Sequence, residues 1–325
     1  MTGSQNISIR SLALALCCVI GSVTLLGQQD AQYTQFMNFK LGYNPAFAGA
    51  EETSVVQLHA RQQWLGFEGG PSSQIVAYNT PFSASGSGLG LKISRLSLGL
   101  ENHFNGEASY AYRIQLRRGA RLGIGLSASV RQFSVDFQNA TPVQGGGIDQ
   151  AIPPGQESKV VPNFGAGIYF DSPGFYLGIS APRLLENNLE FTDDETIISR
   201  EARHFYAMTG FTFSLSDQLT LQPQALFKLV QAAPFDADFN LTAGLGRNVK
   251  IGASYRLGGS TVNGFGESIS GLASFFAGKH LEIGMTYDVG LGDLGNQHNG
   301  SFEAMIRYLI GGRSTPISIE DPRAQ

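Results

Sequence analysis

The stretch RLGIGLSASVR, residues 121–131, decides the fold class. Apolar residues occupy every second position from Leu122 to Val130, and glycine or serine fills the positions between them. Successive side chains of a β-strand point to opposite faces, so this period of two predicts a strand with one oily and one polar face. An amphipathic helix would instead repeat its apolar positions every three or four residues.

The same alternation recurs in residues 163–170, 175–180, 219–228, 249–257 and 302–310. A soluble β-sandwich also alternates, but these strands approach or exceed the roughly 9 to 11 residues that cross a bilayer at a tilt. Short links follow the even-numbered strands, and mostly longer ones follow the odd-numbered strands, including residues 134–161 and 183–202. Short periplasmic turns opposite long external loops are typical of an outer-membrane barrel.

We therefore predict an all-β chain that folds as a transmembrane antiparallel β-barrel of about 14 strands, an even number as such barrels require. The barrel should span residues 53–310, with both termini on the periplasmic side of the outer membrane. No linker or charge block divides the chain, so we expect a single barrel domain.

The amino-terminal residues predict export. Residues 1–10 are polar with one basic residue and residues 11–26 are apolar without charge, which is the layout of a signal peptide over residues 1–27. A transmembrane helix is the alternative, but the apolar run is short for one. A lipid-anchored Cys17 is a further alternative, disfavoured because Leu16 precedes it. Both cysteines of the chain fall in this segment, so the mature protein would lack disulfides and thiolate metal sites.

Composition and histidine spacing exclude several functions. The 22 Lys and Arg against 26 Asp and Glu give a formal charge of −4, and nothing suggests a nucleic-acid partner. The five histidines show no i, i+4 metal spacing, and no serine is marked as a nucleophile beside a base. We expect no cofactor, no metal and no enzymatic activity. Acidic residues between 186 and 195 and Gly145–Gly147 are interpreted as loops.

Residues 28–52 fit neither signal nor strand, and we name them the plug segment. Barrels of about eight strands are filled by their own side chains, whereas sixteen or more leave a channel, so the predicted lumen needs additional filling. The segment is rich in aromatic and thioether side chains, which argues against a disordered lead. We predict that it folds back into the lumen from the periplasmic side and packs Tyr33, Phe36 and Phe47 against the wall. The tail of residues 311–325 either contacts periplasmic partners or is disordered.

Several blocks together resemble one family. They are the opening Gln-Gln-Asp-x-Gln-Tyr-Thr-Gln-Phe of residues 28–36, Asn-Pro-Ala-Phe-Ala-Gly of 44–49, Arg-x-Gln-Trp-x-Gly-Phe-Glu-Gly-x-Pro of 61–71, Gly-Leu-Gly-Leu of 88–91, Gly-x-Ser-Tyr-Arg of 252–256 and Gly-x-x-Tyr-Asp of 284–288. In order along the mature chain, they resemble the PorP/SprF family of outer-membrane proteins of the type IX secretion and gliding machinery. Ala31 and Phe302 depart from the residues frequent in that family, proline and histidine respectively.

The resemblance implies a non-enzymatic role in outer-membrane lipid. Family members help to export or surface-anchor large adhesins through the adhesin C-terminal domain. One branch is linked to periplasmic secretion rings and peptidoglycan-binding subunits. A plugged channel for a small or hydrophobic solute is the alternative function, and an outer-membrane enzyme is a third hypothesis.

Fifteen residues are candidates for contacts with the plug or with partners. Trp64 and Phe67 suit an aromatic membrane girdle, while Arg61, Gln63 and Glu68 beside a Gly-Gly-Pro turn suit gripping a plug or an extended partner. Pairs near the external strand ends suit an adhesin interface or lumenal hydrogen bonds. The candidates are Tyr33, Gln35, Phe36, Asn44, Pro45, Phe47, Arg61, Gln63, Trp64, Phe67, Glu68, Tyr255, Arg256, Tyr287 and Asp288.

Overall fold

A computed structural model describes residues 31–82, 86–137, 155–189, 201–230, 235–258, 266–291 and 298–312. The predicted signal peptide, the middle of the acidic loop and the tail beyond residue 312 lie outside these residues. No helix in the described part of the chain is long and apolar enough to cross a membrane.

Antiparallel strands make up nearly all of the described structure. They are β1 (Val55–Gln62), β2 (Ser72–Phe82), β3 (Ser87–Leu98), β4 (Glu101–Gln115), β5 (Arg121–Asp136), β6 (Gln156–Ser172), β7 (Phe175–Arg183), β8 (His204–Phe211), β9 (Phe213–Ser216), β10 (Leu219–Val230), β11 (Asp236–Leu245), β12 (Val249–Leu257), β13 (Ser268–Ala277), β14 (Leu281–Gly290) and β15 (Ser301–Leu309). Each strand pairs with its sequence neighbour, except that β8 and β9 both pair with β10 and not with each other, and β1 also pairs with β15.

The pairing closes the sheet into a barrel of fourteen strands. β8 and β9 are two parts of one strand, since both pair with β10 and a single residue separates them. The β1–β15 register sets Val55 opposite Leu309 and Gln62 opposite Phe302, so no described strand edge remains at the junction. The predicted all-β barrel with an even strand number is confirmed.

Side-chain exposure follows the alternation of the sequence. In β5, Ile124 and Leu126 are 50 % and 64 % exposed, whereas Ser127 between Leu126 and Ala128 is buried. The exposed positions along the strands are mainly aliphatic or aromatic, as expected for an outer surface that meets lipid. The buried positions carry serine, glycine, amides and charges, and they point into the lumen.

The connections distinguish the two ends of the barrel. One end, which we name the short-turn end, carries links such as Pro173–Gly174 and Asp217–Gln218, and β1 begins and β15 ends there. The opposite, long-loop end carries the connections between β5 and β6 and between β7 and β8. Gly99 and Leu100 join β3 to β4 in a tight turn at this end, an exception to the general pattern, with Gly99 at a φ of +57°.

Three short 3₁₀ turns, Phe36–Asn38, Lys40–Gly42 and Pro45–Phe47, fold the plug segment inside the barrel. Their buried residues form one cluster with wall residues that include Ile75, Ala111, Met208 and Leu226. Phe36 is 0 % and Phe39 1 % exposed, and burying each such side chain contributes about 1.5 to 3 kcal/mol. The apolar core of this protein therefore lies in the lumen, between plug and wall.

Candidate functional site: the interface of plug and wall

The plug segment runs along the lumen from one end to the other. Gln32 donates to Asp236, the first residue of β11 at the long-loop end, over 2.9 Å. At its other end, Glu51 pairs with Arg307, close to the last residue of β15 at the short-turn end. Traced backwards from β1, the chain thus enters at the short-turn end and reaches the long-loop half. The prediction for the amino terminus itself concerns residues outside the described ones.

A buried charge cluster holds the plug at the long-loop end. Arg61 Nη2 lies 2.5 Å from Asp288 Oδ2, and its Nη1 lies 3.1 Å from Glu303 Oε2. The side chains of all three are at most 4 % exposed. Glu303 accepts the backbone N–H groups of Thr34 and Gln35 at 2.8 and 3.1 Å. These two carboxylate hydrogen bonds fix the backbone of the plug to the wall, and charged acceptors make such bonds stronger than neutral ones.

Thr34 completes this cluster. Its hydroxyl donates to Asp288 at 3.0 Å and accepts from Arg61 Nη1 at 3.0 Å. His59 lies in the same layer, against the rings of Tyr33 and Phe39 at centroid distances of 6.2 and 4.9 Å. A short stretch of the plug therefore meets one cation, two carboxylates and an imidazole from three strands, β1, β14 and β15.

Further ionic clusters line the described lumen. Asp238 pairs with Arg256 at 2.6 Å and with Lys228 at 2.7 Å, beside the Asp236 that binds Gln32. Glu282 pairs with Lys250 at 2.9 Å and with Arg307 at 2.8 Å. Because an isolated buried charge is costly, inward-facing charges are expected to be paired in this way.

Asn44 positions the middle of the plug. Its Oδ1 accepts the N–H of Ala46 at 2.9 Å and caps the turn Pro45–Phe47, while its Nδ2 donates to the carbonyl of Ile168 at 3.0 Å. Asn44 and Ala46 are 0 % exposed. Gly125 faces this turn so closely that a Cβ there would lie 2.4 Å from Ala46 Cα. Because Gly125 has no side chain, the plug backbone can pack directly against β5.

Gly125→Ala is expected to destabilise the barrel by about 1 to 3 kcal/mol, because the added methyl overpacks the plug against the wall. Urea unfolding of the purified protein in detergent measures the loss. Gly271→Ala is the matched control, since a Cβ at Gly271 meets no atom within 4 Å. Equal stability of the two variants would contradict the close packing of plug on β5.

Aromatic and charge contacts anchor the rest of the segment. Tyr43 packs edge-on against Tyr206 at 5.3 Å, and Phe47 against Tyr169 at 5.2 Å. Burial raises the pKa of the Tyr43 phenol well above its ordinary value, and the charge of Asp238 raises it further. Tyr43 is therefore neutral at any physiological pH and acts through packing and its hydroxyl, which accepts the N–H of Tyr33.

The candidate residues from the sequence divide among three places. Plug residues and wall residues meet in the lumen: Tyr33, Gln35, Phe36, Asn44, Pro45 and Phe47 with Arg61, Arg256 and Asp288. Tyr287 is 47 % exposed on the outer surface, and Tyr255, the neighbour of Arg256, is partly buried. Gln63, Trp64, Phe67 and Glu68 belong to the β1–β2 loop at the long-loop rim. Glu68 is exposed, and in the described structure Arg61 pairs with Asp288 and Glu303 rather than with Glu68.

The β1–β2 loop carries an aromatic cluster at the rim. Trp64 has a φ of +53°, which is uncommon for a bulky residue, and its ring lies 6.1 Å from Phe67 and 6.3 Å from His298. Backbone hydrogen bonds from Leu65 to Gly300 and from Asn299 to Leu65, at 2.8 and 2.7 Å, tie this loop to the β14–β15 loop. Trp64 is therefore fixed in a strained conformation, while Phe67 remains 47 % exposed.

Sequence reasoning missed many of the charged residues of this interface. Arg61, Arg256 and Asp288 were candidates, but their partners Asp238 and Glu303 were not. The group at the short-turn end was also missed; it consists of Lys40 and Glu51 from the plug and Glu282 and Arg307 from the wall. A signal was present, because Glu303 and Arg307 occupy polar positions of a strand whose alternate residues are apolar. A charge at a lumenal position of a barrel indicates an ionic partner inside. In the described residues, no group of three or more His, Cys, Asp or Glu is arranged to hold a metal ion.

Comparisons with known proteins found one family and several similar solved structures. Residues 25–308 match the family described as "Type IX secretion system membrane protein PorP/SprF". No curated protein matches the chain. Similar solved structures include the Acinetobacter baumannii outer membrane protein Omp33, with 8 % identity, a TM-score of 0.44 and coverage of 80 % of this chain and 99 % of that chain.

Two further structures are similar at 11 % identity. A Pseudomonas aeruginosa FadL homologue has a TM-score of 0.47 and covers 82 % of this chain and 92 % of its own. The CymD monoaromatic hydrocarbon channel has a TM-score of 0.49, with coverage of 87 % and 94 %.

Proposed function

Because the chain belongs to the PorP/SprF family of type IX secretion system membrane proteins, we propose that it is a non-enzymatic outer-membrane barrel that docks other proteins. On this proposal the long-loop end faces outward and receives the C-terminal domain of an exported adhesin. The short-turn end faces the periplasm and contacts secretion, gliding or peptidoglycan-binding subunits.

The observation that carries the proposal is a lumen filled by the chain's own plug segment. Buried carboxylates, arginines and amides hold the plug at both ends and in the middle. A barrel built for passage would need to displace this apolar core, whereas a docking protein uses only its two rims. The filled lumen therefore supports a role for the rim surfaces.

The long-loop rim offers a surface suited to a protein partner. Phe67 is 47 % exposed beside the fixed Trp64, and aromatic residues of this kind often form the energetic centre of protein interfaces. Strained conformations such as that of Trp64 are retained mainly where function requires them. The aromatic cluster of Trp64, Phe67 and His298 is accordingly our candidate for the adhesin contact.

A pull-down tests the docking function directly. The purified barrel should recover a surface adhesin C-terminal domain and a periplasmic ring subunit, and Phe67→Ala should weaken adhesin recovery by roughly tenfold as expected of an interface hot spot. Phe82→Ala is the matched control, since Phe82 is 44 % exposed at the short-turn end. Recovery of neither partner by the wild-type barrel would refute the proposal.

The alternative is a plugged channel for a small solute. A cavity of about 290 Å³ between plug and wall is the observation that favours it. The two functions differ in whether the wild-type barrel conducts, which a planar bilayer measures.

A further inference from the structure

A cavity of about 290 Å³, which we name the lower cavity, lies between the plug and the wall in the short-turn half of the lumen. Most of its lining is polar, with amide and hydroxyl groups from Asn38, Gln222, Gln224, Thr242 and Ser274. Three cationic side chains also line it: Lys40 from the plug, and Lys250 and Arg307 from the wall. A small polar cavity with several cations is suited to an anion.

Two of the three cations already have carboxylate partners. Glu282 accepts from Lys250 at 2.9 Å and from Arg307 at 2.8 Å, and Arg307 also pairs with Glu51. Three cations thus face two carboxylates, Glu51 and Glu282, which leaves one positive charge in excess.

The excess charge belongs to Lys40. Its Nζ lies 3.4 Å from the Tyr169 hydroxyl and 3.6 Å from the centre of the Tyr176 ring. No carboxylate of the described residues lies within 4.0 Å of Lys40 Nζ, the distance at which the two would form an ion pair. A cation–π contact stabilises an ammonium by less than desolvation costs a buried ion.

The charges around Lys40 do not make up for the cost of its desolvation. Burial lowers the pKa of the Lys40 ammonium to about 7; Glu51 and Asp171 act in the opposite direction, and Arg307 and Lys250 lower the pKa further. Tyr169 and Tyr176 are neutral groups that face the same atom. Lys40 is therefore protonated below pH 7 without a counterion from the described residues.

We propose that the lower cavity binds a carboxylate group, with Lys40 Nζ as its ion-pair partner and the Gln222 and Gln224 amides as neighbouring donors. A single negative charge balances the single excess positive charge, whereas a phosphate dianion would leave the cavity negative. The carboxylate belongs either to an acidic side chain of a peptide or to a free polar acid, since both present the same group. This site is independent of the docking function.

Two monoanionic probes test the site on the full-length protein in detergent. They are the peptide Ac-Gly-Ser-Glu-Ser-Gly-NH2 and N-acetylglycine, with the glutamine analogue of the peptide as the neutral comparison. We expect Lys40→Gln to weaken binding of the better probe by roughly tenfold or more, the loss typical of removing one charged hydrogen-bond partner. Lys92→Gln should leave the dissociation constant unchanged, because Lys92 lies in the long-loop half and is paired with Glu107 at 2.8 Å.

The pH profile separates an ionic role of Lys40 from a structural one. With a pKa of about 7, the protonated fraction of Lys40 falls about 25-fold between pH 6.5 and 8.5, and binding should weaken accordingly. Lys40→Arg keeps the charge over this range and should remove most of the dependence. Thermal unfolding of the variants confirms that each is folded.

The outcomes assign the source of the group or overturn the site. Preference for the peptide identifies a protein segment as the source, and preference for N-acetylglycine identifies a free acid. Equal affinity of wild type and Lys40→Gln would overturn the proposal, as would binding of the glutamine peptide equal to that of the glutamate peptide. A dissociation constant that is flat from pH 6.5 to 8.5 in the wild type would overturn it as well.

Discussion

Deletion of residues 31–50 should convert a closed barrel into a conducting pore. These residues supply most of the buried apolar cluster inside the lumen, and the remaining wall of fourteen strands is wider than the eight-stranded barrels that their own side chains fill. Wild-type protein in a planar bilayer is expected to be silent. The deletion variant should raise the conductance roughly tenfold or more above the wild-type background, because its strand number is close to that of open porins.

A substitution outside the lumen controls for general damage to the barrel. Glu68→Ala changes an exposed residue of the β1–β2 loop and should leave the bilayer silent. Steady conductance of the wild type would favour the solute channel over docking. A silent deletion variant that still folds would mean that other residues close the lumen and that the plug segment is not the barrier to ions.

The wall could be predicted from the sequence because its signal is local. The apolar and polar faces of a strand such as β5 can be recognised within a dozen residues. Every strand has lipid on its outer face and the polar lumen on its inner face, so the same alternation recurs in each of them. The lumenal position of the plug was also predictable, since the aromatic residues of 33–47 required burial. Phe36 and Phe39 are accordingly among the most buried side chains of the described chain.

The charge partners could not be predicted because they depend on the register between paired strands. Arg61 and Glu303 are direct cross-strand neighbours on β1 and β15, 242 positions apart, and only closure of the barrel brings them together. Arg256 and Asp238 are likewise opposite each other on β12 and β11. A shift of one residue would turn either side chain toward lipid. The alternation predicts which residues face inward, and the register decides which of them meet.

The Arg61–Asp288–Glu303 cluster makes the strongest prediction for a single residue. Arg61→Ala should destabilise the protein by about 3 to 5 kcal/mol, because it leaves two buried carboxylates without a cation. The same change removes a donor to Thr34 and loosens the grip on the plug. Urea unfolding measures the first effect, and trypsin cleavage after Lys40, which lies inside the lumen, measures the second.

Two further variants separate charge from packing in this cluster. Arg95→Ala is the matched control; Arg95 is exposed, bonds Asn102 at 3.1 Å, and should cost no more than about 0.5 kcal/mol. Combining Arg61→Ala with Asp288→Asn and Glu303→Gln removes the uncompensated charges and should restore part of the lost stability. The amide oxygen of the Glu303→Gln side chain still accepts from the plug backbone but more weakly than a carboxylate, so cleavage at Lys40 should stay faster than in the wild type. If the triple variant is no more stable than Arg61→Ala, unpaired buried charge is not what makes Arg61 necessary, and its contact with the plug alone would explain the loss.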